Sequence, residues 1–293
     1  MSLLSNITPD QVVAEPFPHV VVENALDEGL CQQLLREFPR LETFTRGRPT
    51  RSNQKIIYTG AAALADPHLS ERWKSFIREH LQPSVWAEML RLFRTHLLGA
   101  YPDFEQRFGK PDELRVGTRN IDDYSRCDLL LDSELVVHAP VVGRPAVERG
   151  PHLKTRDKPF AGYLYLRPDE DDAQGSDHVL YSVKPGASLL FDQVQAADPE
   201  LLIAEKVIPY RNNTFIFFLN TPESIQGLTA RSASEVPLMM HHFVAQMREP
   251  LFDIDFKPVA SAPSFVRTWA RRSGLRAVVR GARRLGQRLK TES

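Results

Sequence analysis

Phe160-Ala-Gly-Tyr-Leu-Tyr-Leu166, set between Pro159 and Pro168, decides the fold class. Apolar and aromatic residues run through it without a polar interruption, and turn formers close it on both sides, the pattern of a buried strand. Working outward, comparable runs bounded by Pro, Gly, Asn or Asp occupy Leu129 to Leu131, Val136 to Val142, His178 to Val183, Ser188 to Phe191, Asn213 to Leu219 and Leu238 to Ala245. Short antiparallel strands at this spacing imply a sandwich or jelly-roll barrel rather than alternating βαβ units.

The region up to about residue 110 reads as helical with one early strand, Phe17 to Val22. Asp27 opens a helix through Phe38 that places Leu30, Leu34 and Leu35 on one side. Ser70 to Leu81 and Ser84 to Leu98, separated by Gln82-Pro83, carry apolar residues at helical spacing, as in Trp86, Met89, Leu90 and Phe93. The expected class is therefore α+β. A double-stranded β-helix (jelly-roll, cupin-like) core spans 119–255, the N-terminal part of the same domain spans 1–118 with helices packed on the sheet, and a basic tail spans 256–293.

With 42% apolar and 25% charged residues over 293 positions, disorder throughout is excluded. Cys31 and Cys127 form no paired spacing, so no disulfide framework or zinc knuckle is implied and a reducing, cytoplasmic setting is expected. The start MSLLSNITPDQ lacks a basic stretch followed by an apolar run, and no later run approaches the roughly 18 apolar residues of a membrane span.

The 37 basic and 37 acidic residues cancel, but unevenly. Nine basic residues and no acidic one lie between Pro263 and Lys290, and Glu292 follows, which leaves 28 basic against 36 acidic up to Ala262, a body of net −8. From Arg272 to Lys290 a 100° step per residue gathers Leu275, Val278, Val279, Ala282, Leu285 and Leu289 in one sector and the basic side chains in the other. Such a segment suits docking on an acidic protein face or an anionic membrane surface, while nucleic acid is the weaker match. The acidic run Pro168 to Asp172 has no calcium-ligand spacing and reads as a solvated loop.

Three segments carry a family likeness. Glu148-Arg-Gly-Pro-His152-Leu-Lys154, Lys158-Pro-Phe-Ala-Gly-Tyr-Leu-Tyr-Leu166 and Gly175-Ser-Asp-His-Val-Leu-Tyr181 together resemble a bacterial, prolyl-hydroxylase-like group of iron(II)/2-oxoglutarate-dependent oxygenases. Ile208 to Asn220, then Thr221-Pro-Glu-Ser-Ile-Gln226-Gly-Leu-Thr, look like the strands preceding and carrying that group's distal histidine, and the likeness extends over roughly residues 15 to 255. What it implies can be laid on this sequence residue by residue. His152 stands at the first proximal ligand position and Lys154 where the carboxylate is expected. Gln226 stands at the distal histidine, and Leu238 near the arginine that pairs with 2-oxoglutarate.

The resemblance thus implies the fold with an altered site. No cofactor is favoured; iron(II) and 2-oxoglutarate belong only to the alternative that this is an active hydroxylase using other ligands, for which Asp157, His178, His241 and His242 are the candidates. Leu238, Met240 and His242 share an inward face if their strand alternates regularly. The expected site centres on His152, Lys154 and Gln226, with Arg231, Tyr163 and His242 contacting a small-molecule or glycan substrate. Two functional readings remain open: a metal-independent, non-oxidative tailoring step using Lys154, and a pseudoenzyme that only binds a ligand or partner.

Overall fold

The computed structural model describes residues 2–192 and 194–257. The basic segment from Pro263 to Lys290 lies outside the described residues.

Among the described residues six α-helices precede the first long strand: α1 (Glu28–Arg36), α2 (Leu41–Thr45), α3 (Gly60–Ala65), α4 (Glu71–Glu79), α5 (Pro83–Ala100) and α6 (Phe104–Phe108). Local chemistry sets their starts. The carboxylate of Asp27 accepts from the Leu30 amide at 3.1 Å and the hydroxyl of Ser70 from the Trp73 amide at 3.3 Å, each satisfying a donor that the first helical turn leaves unpaired. Pro83 opens α5, where its missing N–H costs nothing.

Among the described residues ten strands follow as β1 (His19–Glu23), β2 (Lys55–Tyr58), β3 (Val116–Thr118), β4 (Leu129–His138), β5 (Phe160–Leu166), β6 (His178–Val183), β7 (Leu202–Ile208), β8 (Thr214–Leu219), β9 (Ile225–Leu228) and β10 (Leu238–Met247). The larger sheet runs β1-β8-β5-β10-β4-β2, with β3 parallel to β4, and the smaller runs β7-β6-β9. The segment around His152 joins the smaller sheet through paired backbone hydrogen bonds with Gln226, N–H to carbonyl in both directions at 2.9 and 3.0 Å. From β4 onward the chain passes from one sheet to the other and back, which is the winding of a double-stranded β-helix.

Strand alternation divides the larger sheet into two unlike faces. One carries Leu129, Leu131, Leu135, Phe160, Phe215, Phe217 and Phe243 against the helices, where Trp73, Phe76, Met89 and Phe93 are buried. The other carries Val136, Tyr163, Tyr165, Phe218, Leu238, Met240 and Val244 toward the smaller sheet. Leu238 and Met240 thus share the inward face, and His242 shares it too through its bond to Glu134.

The structure revises several details. Leu129 to Leu131 and Val136 to His138 are parts of one strand, which ends short of the expected Val142; the polar residues between them, Asp132, Ser133 and Glu134, are buried and hydrogen-bonded. Ser188 to Phe191 forms no strand, and only Phe191 bridges to Phe256. Strands β2 and β7 carry no strong signal in the chain: β2 has four residues, and β7 is an edge whose Ile203, Glu205 and Val207 face solvent. The acidic run is not wholly solvated, since Asp171 is buried and accepts from Arg231 at 2.8 Å. Gly175 is obligatory for a physical reason: at φ +81° a Cβ would sit 1.9 Å from the Ala230 carbonyl oxygen.

Among the described residues no helix is long and apolar enough to cross a membrane.

Candidate functional site

A cavity of about 190 Å³ opens between the two sheets. The larger sheet supplies His138, Tyr163, Tyr165 and Met240, the smaller sheet His178, Gln226 and Leu228, and the chain leading into β5 supplies Glu148, Arg149, His152 and Lys154. Lys55 reaches the same space from β2 because it lies directly opposite His138 in the β2–β4 register.

His152, Lys154 and Gln226 are brought together. His152 and Gln226 face each other across their backbone bridge, and their side chains meet as well: the imidazole Nε2 stands 2.7 Å from the Gln226 Nε2. The other ring nitrogen, Nδ1, donates to the Gly150 carbonyl at 2.8 Å. That bond places the proton on Nδ1, so Nε2 offers a lone pair that the Gln226 amide N–H occupies. Burial, then the charges of Arg149 and Lys154, hold His152 well below the ordinary imidazole pKa.

Lys154 is only 8% exposed. Its Nζ lies 4.7 Å from the centre of the Tyr163 ring and has no hydrogen-bond or ion-pair partner among the described residues. Burial pushes its pKa well down, Lys55 and Lys158 push the same way, Glu134 opposes them, and Arg149 adds a smaller downward push.

The remaining expected contacts divide. Tyr163 lines the cavity. His242 stacks on Tyr163 at 4.7 Å and 17°, one layer behind the lining, with Nδ1 2.7 Å from the Glu134 carboxylate. Row by row across the sheet, Glu134, His242 and Tyr163 are direct neighbours in the register, which is why they meet. Arg231 is not part of the lining. It is buried against Asp171, with a second bond to the Val236 carbonyl at 3.1 Å and its guanidinium over the Tyr210 ring at 5.6 Å.

Glu134 belongs to a buried charge group. Arg119 bridges Asp132 and Glu134 at 3.4 Å each, and Asp132 also accepts from the Gly60 amide at 2.9 Å. Burial, reinforced by Glu134, lifts Asp132 to about 6.

Lys55, Arg149, His138 and Tyr165 are cavity residues that the reading of the chain did not single out, and His178 entered it only as a substitute ligand. His138 and Glu134 carry a usable signal, since Asp132, Glu134, Val136 and His138 are spaced by two along one strand. Lys55 and Arg149 carry none, because a short strand pairing and a loop path deliver them.

Of the alternative metal ligands, His241 faces the helices, 2.7 Å from the Ser133 hydroxyl, and Asp157 accepts from the Gln246 amide at 2.7 Å. Among the described residues no three His, Cys, Asp or Glu side chains converge to hold a metal ion.

Comparison with known proteins gives matches among solved structures alone: no family model matches, and no curated protein matches. A Pseudomonas putida prolyl-4-hydroxylase is 12% identical with a TM-score of 0.41, over 79% of this chain and 93% of that one. A prolyl hydroxylase from Trichoplax adhaerens, solved with a hypoxia inducible factor oxygen degradation domain peptide, is 11% identical with a TM-score of 0.45, over 83% and 89%. The epimerase SnoN, solved with Fe3+, alpha ketoglutarate and nogalamycin RO, is 15% identical with a TM-score of 0.44, over 83% and 87%. The chain is similar to oxygenases of this kind in fold.

Proposed function

We propose that this protein binds an anionic small molecule, or an anionic group of a glycan, between its two sheets and works there without iron, in a tailoring step that transfers no electrons. The observation that carries the reading is the closed contact of His152 with Gln226 beside Lys154. The His152 lone pair that faces this space is occupied, and the Lys154 side chain replaces the carboxylate that the family likeness implies. At an effective dielectric near 20, a unit charge and a divalent ion about 4 Å apart interact by roughly 8 kcal/mol, so exchanging carboxylate for ammonium turns an attraction of that size into a repulsion. A neutral amine and an amide oxygen are weak substitutes for a hard divalent cation. This donor set does not fit iron(II).

The same residues suit an anion. Lys55, Arg149 and Lys154 line the cavity against the single carboxylate of Glu148. Arginine offers a planar fork and lysine a compact charge to an oxyanion, and both gain strength where water is displaced. The cavity volume admits a molecule of a few heavy atoms, or the anionic end of a larger one entering past Glu148. In the sequence, the basic segment from Pro263 onward supports docking to an acidic protein face or an anionic membrane surface.

The reading is tested by titrating the full chain with inorganic phosphate and with pyruvate in a calorimeter. Saturable binding of at least one, weakened tenfold or more in Lys154→Met, is expected. Equal affinity in the variant removes Lys154 from the site, and no binding of either at millimolar concentration overturns the anion reading.

A further inference from the structure

We propose that His178 grips an oxyanion oxygen of the bound molecule, donating from Nε2–H, and that Tyr165 is the positioning residue that fixes this polarity. The inference rests on the anion-binding reading above and names the contact that reading lacks.

His178 enters the cavity wall from β6 and is 1% exposed. Its Nδ1 lies 2.8 Å from the Tyr165 hydroxyl. That hydroxyl has no other partner among the described residues, so its proton goes to Nδ1, and the ring proton must then sit on Nε2. Nε2 is buried and has no partner among the described residues. An unmet buried donor typically costs about 1–3 kcal/mol, and an acceptor supplied by a ligand removes that cost. Tyr163, 5.3 Å away, and Phe218, 6.4 Å away, hold the ring from the sides, so it cannot swing to find another partner.

Other imidazoles near the cavity do not offer this. Both nitrogens of His152 are engaged. His242 gives its Nδ1 proton to Glu134 and so presents a lone pair at Nε2, the wrong polarity for an anion, from behind Tyr163. His138 shares the lining, but neither of its nitrogens is fixed by a partner among the described residues. Burial, then the charges of Lys154 and His19, lower His178 to about 3, in keeping with a neutral ring that donates from one nitrogen. Carboxylate and phosphate share the required acceptor chemistry, and with Lys154, Arg149 and Lys55 around the same space the oxygen would be held from several sides.

The test uses full-length protein labelled with 15N-histidine. Long-range 1H–15N spectra should show His178 as the Nε2–H tautomer, and titration with phosphate in one arm and pyruvate in the other should move its Nε2 resonance saturably in at least one arm. The arm that responds separates phosphate from carboxylate. The dissociation constant should rise at least tenfold in His178→Leu and less than threefold in His178→Gln, whose amide N–H can take the place of Nε2–H. Tyr165→Phe should leave the fold intact and populate the other tautomer. Binding that leaves the resonance still, or an Nδ1–H tautomer in the unaltered protein, overturns the assignment while the anion reading stands; absence of binding in both arms overturns both.

Discussion

The two faces of the larger sheet are built from alternate residues of the same strands, yet they differ in kind. On β10, Phe243, Ala245 and Met247 point into an aromatic and aliphatic layer under the helices, while Met240 and His242 point toward the cavity. On β4, Leu129, Leu131 and Leu135 lie on the first side and Glu134 and His138 on the second. The helix-side face is close-packed around Phe243, which contacts the rings of Phe160, Phe215 and Phe217 at 5.4–5.8 Å. The inner face keeps an orphaned nitrogen on His242 and looks across the cavity at another on His178 and at the unpaired Lys154, while the helix side holds one on His241. The aromatic packing is concentrated on one face, and the cavity-lining polar groups lie on or opposite the other.

The largest expected effect falls on the helix side. Phe243→Ala should lower unfolding free energy by about 3–5 kcal/mol, the usual cost of emptying a large aromatic site, and urea denaturation measures it. A loss under about 1 kcal/mol would break the division.

Acid is the next lever and touches both faces. His80 on the helix side is held at about 4, and His138 and His178 on the inner side at about 3, all chiefly by burial. Because the folded-state values lie below the ordinary 6.5, the unfolded chain takes up protons first, so the contribution is complete above pH 6.5 and is lost as pH falls toward 4 and below. His80 alone accounts for roughly 3 kcal/mol over that window, at about 1.4 kcal/mol per pH unit. Urea midpoints should hold from pH 7.5 to about 6.5 and fall from there to pH 4.5, and a flat profile would contradict neutral buried imidazoles.

Lys154→Met sharpens the contrast with the smallest change in stability. Removing a buried amine without a partner should leave the unfolding free energy unchanged or raise it by up to about 1–2 kcal/mol. Anion binding should fall tenfold in the same variant. A clear loss of stability would mean that Lys154 serves the fold rather than the pocket.

The chain announces this architecture unevenly. Phe160 to Leu166 and Asn213 to Leu219 are legible as strands because both of their faces are buried, and Asp27, Ser70 and Pro83 mark helix starts through their own hydrogen-bonding chemistry. Edge strand β7 is not, since half of its side chains face water. In the site, His152, Lys154 and Gln226 are found through likeness to a known pattern. The contact of His152 with Gln226 follows from a backbone bridge joining positions 74 residues apart. The arrival of Lys55 depends on pairing between β2 and β4, and the orphaned nitrogen of His178 depends on a tyrosine 13 residues away. Such contacts are products of register and packing, which local sequence does not encode.

Metal analysis tests the central claim most directly. The unaltered protein and the double variant Lys154→Asp/Gln226→His should each be incubated with iron(II) under nitrogen, desalted and assayed for iron. The account requires far less than one iron per chain in the unaltered protein and a gain toward one in the double variant, where the His152 lone pair is released and a carboxylate stands two residues away. Tight, stoichiometric iron in the unaltered protein would contradict it.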